Sequence, residues 1–283
     1  MGRGRVAVFP TCRLTRPVAL TRPTSDHQLG FPAREELGGT VKEAAIAGHA
    51  SGAIAATLRE SALFAGAAQS TVEDLAVAAR VRKLTRGQIL LVEGGAPTSM
   101  FVVGSGLLKV FRTSLDGSEP TISLLFPGDH VGELGLLDDQ SRSASVAALR
   151  PSSVIEIGRA AFLAGYAADG ALAKAIVSEL AHRLRATSER LGDLTVLDLG
   201  ARLAKHLVAQ ARRSLAAGGP TRFELLLNQA EMGQLLGGAR QSINQLLAGL
   251  ERDRLIAIDG RFVTLLDPAQ LAVRSDLGDW PGA

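Results

Sequence analysis

Cysteine is nearly absent: Cys12 carries the only thiol among 283 residues. One sulfur excludes an intramolecular disulfide, a four-thiolate zinc site and a cysteine-ligated iron–sulfur cluster, since each needs two or more. A reducing cytoplasm fits best. Long apolar runs are missing as well. The longest weakly polar stretch, Ala44 to Ala56, is broken by His49 and Ser51 and falls short of the ~20 residues of a bilayer span. No transmembrane helix is expected, and the basic start lacks the apolar core of a secretory signal. What remains is an ordinary composition, 46% hydrophobic and 21% charged, with length for roughly two domains.

Charge is unevenly placed. Residues 1–34 hold six arginines against Asp26, residues 35–200 carry a net −4, and residues 201–283 carry +2, concentrated in 201–261 where nine bases face five acids. The pattern suggests an acidic sensor half and a basic contact half, with ordinary scatter of surface charge as the equal alternative. Residues 1–60 combine arginine, proline and glycine with little periodic apolar content, and are expected to form a disordered extension.

Order is expected from Ser61, with Ser70-Thr71-Val72-Glu73 as a capping box opening a short helix. Segments rich in Val, Ile, Leu and Phe follow at 88–92, 100–103, 107–113, 121–126, 144–148 and 153–157, separated by Gly94-Gly95, Gly104-Ser105-Gly106 and Asp116-Gly117. Short strands at this spacing predict an antiparallel roll over 61–167. From Ala168 to Leu199 the period becomes helical. Val177, Leu180, Leu184, Thr187, Leu191 and Leu194 fall on alternating a and d positions of about two and a half heptads. A seam of that length outlasts a small roll and predicts a parallel homodimer. The region 200–268 reads as three helices and a hairpin at Asp259-Gly260, the pattern of a winged helix-turn-helix, with a tail at 269–283. The fold class is therefore α+β.

The densest chemistry lies in Gly132-Glu133-Leu134-Gly135-Leu136, followed by Arg142-Ser143-Ala144. A glycine admitting close backbone approach, an acid beside it, and an arginine and hydroxyl nearby are the parts needed to hold a ribose joined to a phosphate. Arg142 would form a charge-assisted pair worth ~1.5–3 kcal/mol, and Glu133 would accept from a ribose hydroxyl. The competing reading, an Arg142–Glu133 salt bridge rimming a turn, stays open on spacing alone. Thr187 is an anomaly on the seam, where leucine would pack better. A ligand explains it, and so does a bond to its own i−4 carbonyl.

These residues resemble the CRP/FNR family of bacterial transcription regulators, most closely the cyclic-AMP receptor proteins, over about residues 62–268. The Gly132 to Ala144 segment is similar to the family's phosphate-binding cassette, one residue shorter between its halves. Arg183 to Gly192 resembles the dimer helix of cyclic-AMP binders. The resemblance implies that Thr187 bonds adenine, that Ser188 reaches the ligand held by the partner subunit, and that Arg183 supports the pocket. Cyclic AMP is then the expected ligand and cyclic GMP the alternative, with no metal, haem or iron–sulfur cluster. A haem sensor would need an axial ligand such as His130, and a lone histidine in a turn is expected to face solvent.

Gln234 to Leu247 resembles the family's turn and recognition helix. Arg240, Gln241 and Asn244 share one helical face while Ile243 and Leu247 face inward. Arginine can bond guanine O6/N7, and Gln or Asn can bond adenine N6/N7. Ser242, Arg222 and the wing's Arg261 are expected phosphate contacts. Gln241 and Gln245 stand where relatives carry an acid and an arginine, and Ala239 leaves the helix without a side-chain cap. The sequence thus predicts a non-enzymatic, homodimeric regulator that binds double-stranded DNA and contacts RNA polymerase, with no membrane role. The rivals are the same fold answering to another effector or to none, and a cyclic-nucleotide-gated enzyme or interaction module.

Overall fold

The computed structural model describes residues 51–216 and 218–275. Eight strands build two antiparallel sheets. One has the order β1 (Arg80–Leu84), β8 (Ser152–Gly158), β3 (Ser99–Ser105), β6 (His130–Val131); the other runs β2 (Ile89–Leu91), β7 (Ser145–Ala148), β4 (Leu108–Phe111), β5 (Thr121–Leu125). Alternation divides their side chains between two cores. Leu84, Phe101, Val103 and Val154 of the first sheet meet Leu90, Leu108, Leu125, Val146 and Ala148 of the second inside the roll. Met100, Val102, Ile155 and Ile157 point the other way and pack under helices. Apolar cover on both faces explains why β3 reads as a continuous apolar run.

Those covering helices are α1 (residues 51–60), α2 (Gln69–Ala78) and α4 (Arg159–Ala168), with α3 (Leu134–Leu137) short and local. Phe162 of α4 is fully buried, so truncating it to alanine would cost ~3–5 kcal/mol. Residues 51–60, expected in the extension, instead contribute Ile54 and Leu58 to this core. The rest of the expected extension lies outside the described residues. The capping box expected at Ser70 is absent: α2 starts at Gln69 behind Ala68, which has no side-chain cap to offer. The Ala68 N–H donates to Oδ2 of Asp169 at 2.7 Å, and the other oxygen of Asp169 accepts from Ala171 and Leu172. One carboxylate from 101 residues away therefore serves the start of two helices, which drives its pKa below the usual range.

Asp169 also separates α4 from the long α5 (Gly170–Val196), and the two are bent by 107°. No single helix among the described residues is long and apolar enough to cross a membrane. At the far end Leu197 is extended, and α6 (Leu199–Ala216) begins the second domain. There α7 (Gln229–Leu236) and α8 (Arg240–Arg252) flank a tight turn, and β10 (Ile256–Asp259) pairs with β11 (Phe262–Leu265). A short strand, β9 (Arg222–Glu224), joins β11 and completes a three-stranded wing. The expected tail is helical at its start: α9 (Pro268–Arg274) buries Leu271 in the domain core.

The head domain rests on the roll of its own chain. Leu107, Leu124, Phe126 and Leu149 pack against its core, and Arg150 donates two hydrogen bonds to the Glu224 carboxylate at 3.1 and 3.2 Å. Arg190 of α5 links three elements, donating to the carbonyls of Ile122 on β5 and Leu235 on α7.

Candidate cyclic-nucleotide and DNA sites

Gly132 follows β6 with φ +92, a conformation open to glycine. A Cβ there would stand 2.7 Å from Nη1 of Arg142 and 3.2 Å from the Ser99 carbonyl oxygen. The absence of that atom is what lets the arginine close on the backbone. Arg142, buried, donates from Nη1 to the Gly132 carbonyl and from Nη2 to the Ser99 carbonyl, both at 2.5 Å. The Arg142–Glu133 salt bridge left open by the sequence does not form. Glu133, 1% exposed, pairs instead with Nη1 of Arg183 at 3.0 Å, and the same guanidinium donates to the His130 carbonyl at 2.6 Å and to Glu179 at 3.1 Å.

Two buried polar atoms in this cluster have no hydrogen-bond partner: Oε2 of Glu133 and Nε of Arg142. An unpaired buried polar atom costs ~1–3 kcal/mol, so the arrangement is complete only with a further donor on the carboxylate and an acceptor on the arginine. Burial raises the Glu133 pKa against the pull of Arg183, and desolvation lowers that of Arg142 against the pull of Glu133. His130 is buried rather than solvent-facing, and burial together with Arg183 lowers its pKa to about 3. It is a neutral core residue on β6.

Of the residues expected at this site, the structure brings together Gly132, Glu133, Arg142 and Arg183. Leu134 is 44% exposed beside Glu133, Ser143 is exposed and Ala144 half-buried at the entry to β7. The Thr187 and Ser188 hydroxyls are exposed and donate to the carbonyls of Arg183 and Leu184 at 2.8 and 3.0 Å, one helical turn back. Spacing alone could have found Glu179, an i−4 partner of Arg183, whereas nothing in the sequence marks the Ser99 or His130 carbonyls. Along the same helix Val177, Leu184 and Leu191 are 62%, 68% and 65% exposed, a heptad-spaced apolar stripe, while Leu180 packs into the roll's outer core.

In the head, Asn228 and Glu231 form the expected capping box at 2.8–2.9 Å. Gly237 adopts φ +70 to end α7, and a Cβ on Gly233 would meet the Gly238 carbonyl at 2.5 Å. These glycines let the two helices meet through so short a turn. Arg240, Gln241, Asn244 and Gln245 are exposed, and Ala239 leaves α8 without a side-chain cap. Ser242 and Gln245 border a hollow beside Asp198 and Gly200, on the side facing α6. Both wing arginines are already ion-paired: Arg222 with Asp259 at 3.1 Å, stacked on Phe262, and Arg261 with Glu224 at 3.0 Å.

A roll carrying such a cassette, a long helix and a winged helix-turn-helix define a class of ligand-sensing DNA-binding proteins. Residues 81–169 match the cyclic nucleotide-binding domain and residues 201–274 the Crp-like helix-turn-helix domain. The CRP-like cAMP-activated global transcriptional regulator of Mycobacterium tuberculosis is 30% identical over 210 residues, covering 72% of this chain and 94% of the relative. The cAMP-activated global transcriptional regulator CRP of Salmonella typhimurium is 29% identical over 186 residues, covering 65% and 89%. Among solved structures, FixK2 from Bradyrhizobium japonicum shares the fold with a TM-score of 0.64 at 20% identity, covering 72% of this chain and 99% of that one. The chain belongs to the CRP/FNR family of transcription regulators and is not an enzyme.

Proposed function

We propose that the protein is a homodimeric regulator whose DNA binding responds to cyclic AMP, with cyclic GMP as the competing ligand. The observation that carries the reading is the pair of unsatisfied buried atoms, Glu133 Oε2 and Arg142 Nε, in one cassette. Bound cyclic AMP would supply a hydroxyl donor and an anionic phosphate. Glu133 would hold the ribose, and Arg142 with Ser143 the phosphate. Thr187 and Ser188 would meet the base once released from their own helix.

The residues of this chain also supply a route from ligand to head. Arg183 ties α5 to Glu133, and two turns further on Arg190 ties α5 to Leu235 of α7. A ligand that binds one α5 position better than another shifts the population of head orientations by that difference and no more. The apolar stripe of Val177, Leu184 and Leu191 calls for a second copy of α5, because its heptad spacing matches itself. A regulator of this kind works where DNA and RNA polymerase are, so cytoplasm is the proposed location and polymerase a proposed partner.

Calorimetric titration of the full chain with each nucleotide tests the ligand. One site per subunit, tighter for cyclic AMP, supports the reading. Heat from neither nucleotide would leave the same fold answering to another effector or to none.

A further inference from the structure

Glu224 on β9 is shared by two arginines of different domains. Arg150, just beyond β7 of the roll, donates from Nη1 to Oε2 at 3.2 Å and from Nη2 to Oε1 at 3.1 Å. Arg261, in the turn of the wing, places Nη2 3.0 Å from the same Oε1. The two guanidiniums differ in how firmly they are held. Arg150 is half-buried, donates also to the Leu226 carbonyl at 3.5 Å, and follows Leu149, which packs against the head core. Arg261 is 67% exposed. Hydrogen bonds from Arg150, ahead of the charges of Arg150 and Arg261, hold the Glu224 carboxyl below its ordinary pKa, so it is an anion at neutral pH.

We propose that Arg150 of the sensor roll is what lets Arg261 of the wing reach a DNA phosphate, because it keeps Glu224 paired when the wing arginine leaves. Turning Arg261 toward a phosphate breaks a charge-assisted contact, and the cost depends on what the carboxylate has left. With Arg150 in place, Glu224 retains a bidentate partner. Without it, the departing arginine abandons a half-buried anion. Two guanidiniums and one carboxylate also sum to a net positive charge, whereas Glu224 and Arg261 alone are neutral, so the roll leaves this edge of the wing attractive to a polyanion. Arg222 takes no part in the exchange, since it is paired with Asp259 and stacked on Phe262.

The inference rests on the wing lying along the DNA backbone. Arg150 acts on DNA through Glu224 and is a positioning residue. Because it belongs to the roll, it serves only a head docked as in this structure. The strand that ends beside it, β7, begins just after Arg142 and Ser143 of the cassette, so the sensor's two arginines stand at opposite ends of one strand.

The test is binding of the full chain to a fluorescent duplex of mixed sequence, followed by anisotropy between ~50 and ~200 mM salt. The proteins are the wild type, Arg150→Met, Arg150→Lys, Arg261→Ala and Arg150→Met combined with Arg261→Ala. Arg261→Ala should weaken binding and flatten its salt dependence. Arg150→Met should weaken binding about two- to fivefold, the scale of one partly exposed charge pair. Arg150→Lys, which keeps a cation beside Glu224, should restore most of that loss. In the Arg261→Ala background Arg150→Met should have no further effect, because no wing arginine is left to release. Loss by the same factor in both backgrounds overturns the inference and shows that Arg150 acts by docking the head or by its own charge. A methionine variant that binds like the wild type, or a lysine variant no better than methionine, overturns it as well. An Arg261→Ala variant that binds like the wild type overturns instead the wing reading beneath it.

Discussion

Arg183 and Glu133 are 50 residues apart in the chain and 3.0 Å apart in the structure, where they join the long helix to the cassette. Glu133 is 1% exposed and Arg183 32%, so the carboxylate is the partner that cannot turn to water. Arg183→Met should lower stability by ~2–3 kcal/mol, less than the ~3–5 of a wholly buried pair because the guanidinium is partly hydrated. Urea unfolding should show the loss, and adding Glu133→Gln should return part of it. An unchanged midpoint in the single variant would mean that Glu133 is protonated and indifferent to its neighbour.

The apolar stripe on α5 makes the dimer testable without risk to the fold. Leu184 and Leu191 are 68% and 65% exposed in the single chain, so Leu184→Asp with Leu191→Asp should leave each subunit folded and produce monomers. Sedimentation showing an intact dimer would place the interface elsewhere.

His130 gives a pH signature. Its folded pKa of about 3 lies below its ordinary 6.5, so the unfolded chain takes up the proton first. Its contribution is complete above about pH 6.5 and declines as pH falls toward 3, by at most ~1.4 kcal/mol per unit. His206, lowered to about 4 mainly by burial, acts in the same direction, and Glu133 and Asp129, whose pKa values burial raises, act in the opposite one. The test is the difference between proteins: His130→Gln should lose stability less steeply than the wild type from pH 6.5 to 4.5. Parallel curves would show that His130 is protonated in the fold.

On DNA, Arg240→Ala should cost ~1–3 kcal/mol and relax preference at one guanine per half-site. Arg261 is different because Glu224 already neutralises it at 3.0 Å. Arg261→Ala should weaken binding to all sequences alike with a salt slope reduced by at most about one, and Glu224→Gln should strengthen binding by releasing the arginine. Salt titrations of the three variants separate these outcomes. A Glu224→Gln variant that binds no better would show that the wing stays off the phosphates.

Much of the roll was legible because glycine turns punctuate it and its strands are apolar. The parts that were not share physical causes. β1, Arg-Val-Arg-Lys-Leu, is a charged edge strand whose composition hides it. β6 and β9 are too short for a period to show, at two and three residues. The start of α2 was misplaced because its cap is Asp169, a tertiary partner, while Ser70 merely fits a local pattern. At the cassette, residue types pointed to a sugar and a phosphate, yet the partner of Glu133 lies on α5, a distance no local spacing encodes. In the head, the capping box and the glycine turn are local, so both were readable from the chain.

The central claim is that a ligand at Glu133 and Arg142 controls the DNA-binding head. Its most direct test is DNA affinity measured by fluorescence anisotropy on a selected duplex, with and without cyclic AMP, for the wild type and Arg142→Ala. The account predicts that cyclic AMP changes wild-type affinity by tenfold or more, a coupling of about 1.4 kcal/mol, and that the variant shows little response. Wild-type affinity that ignores cyclic AMP, or a variant that responds as fully as the wild type, would contradict it.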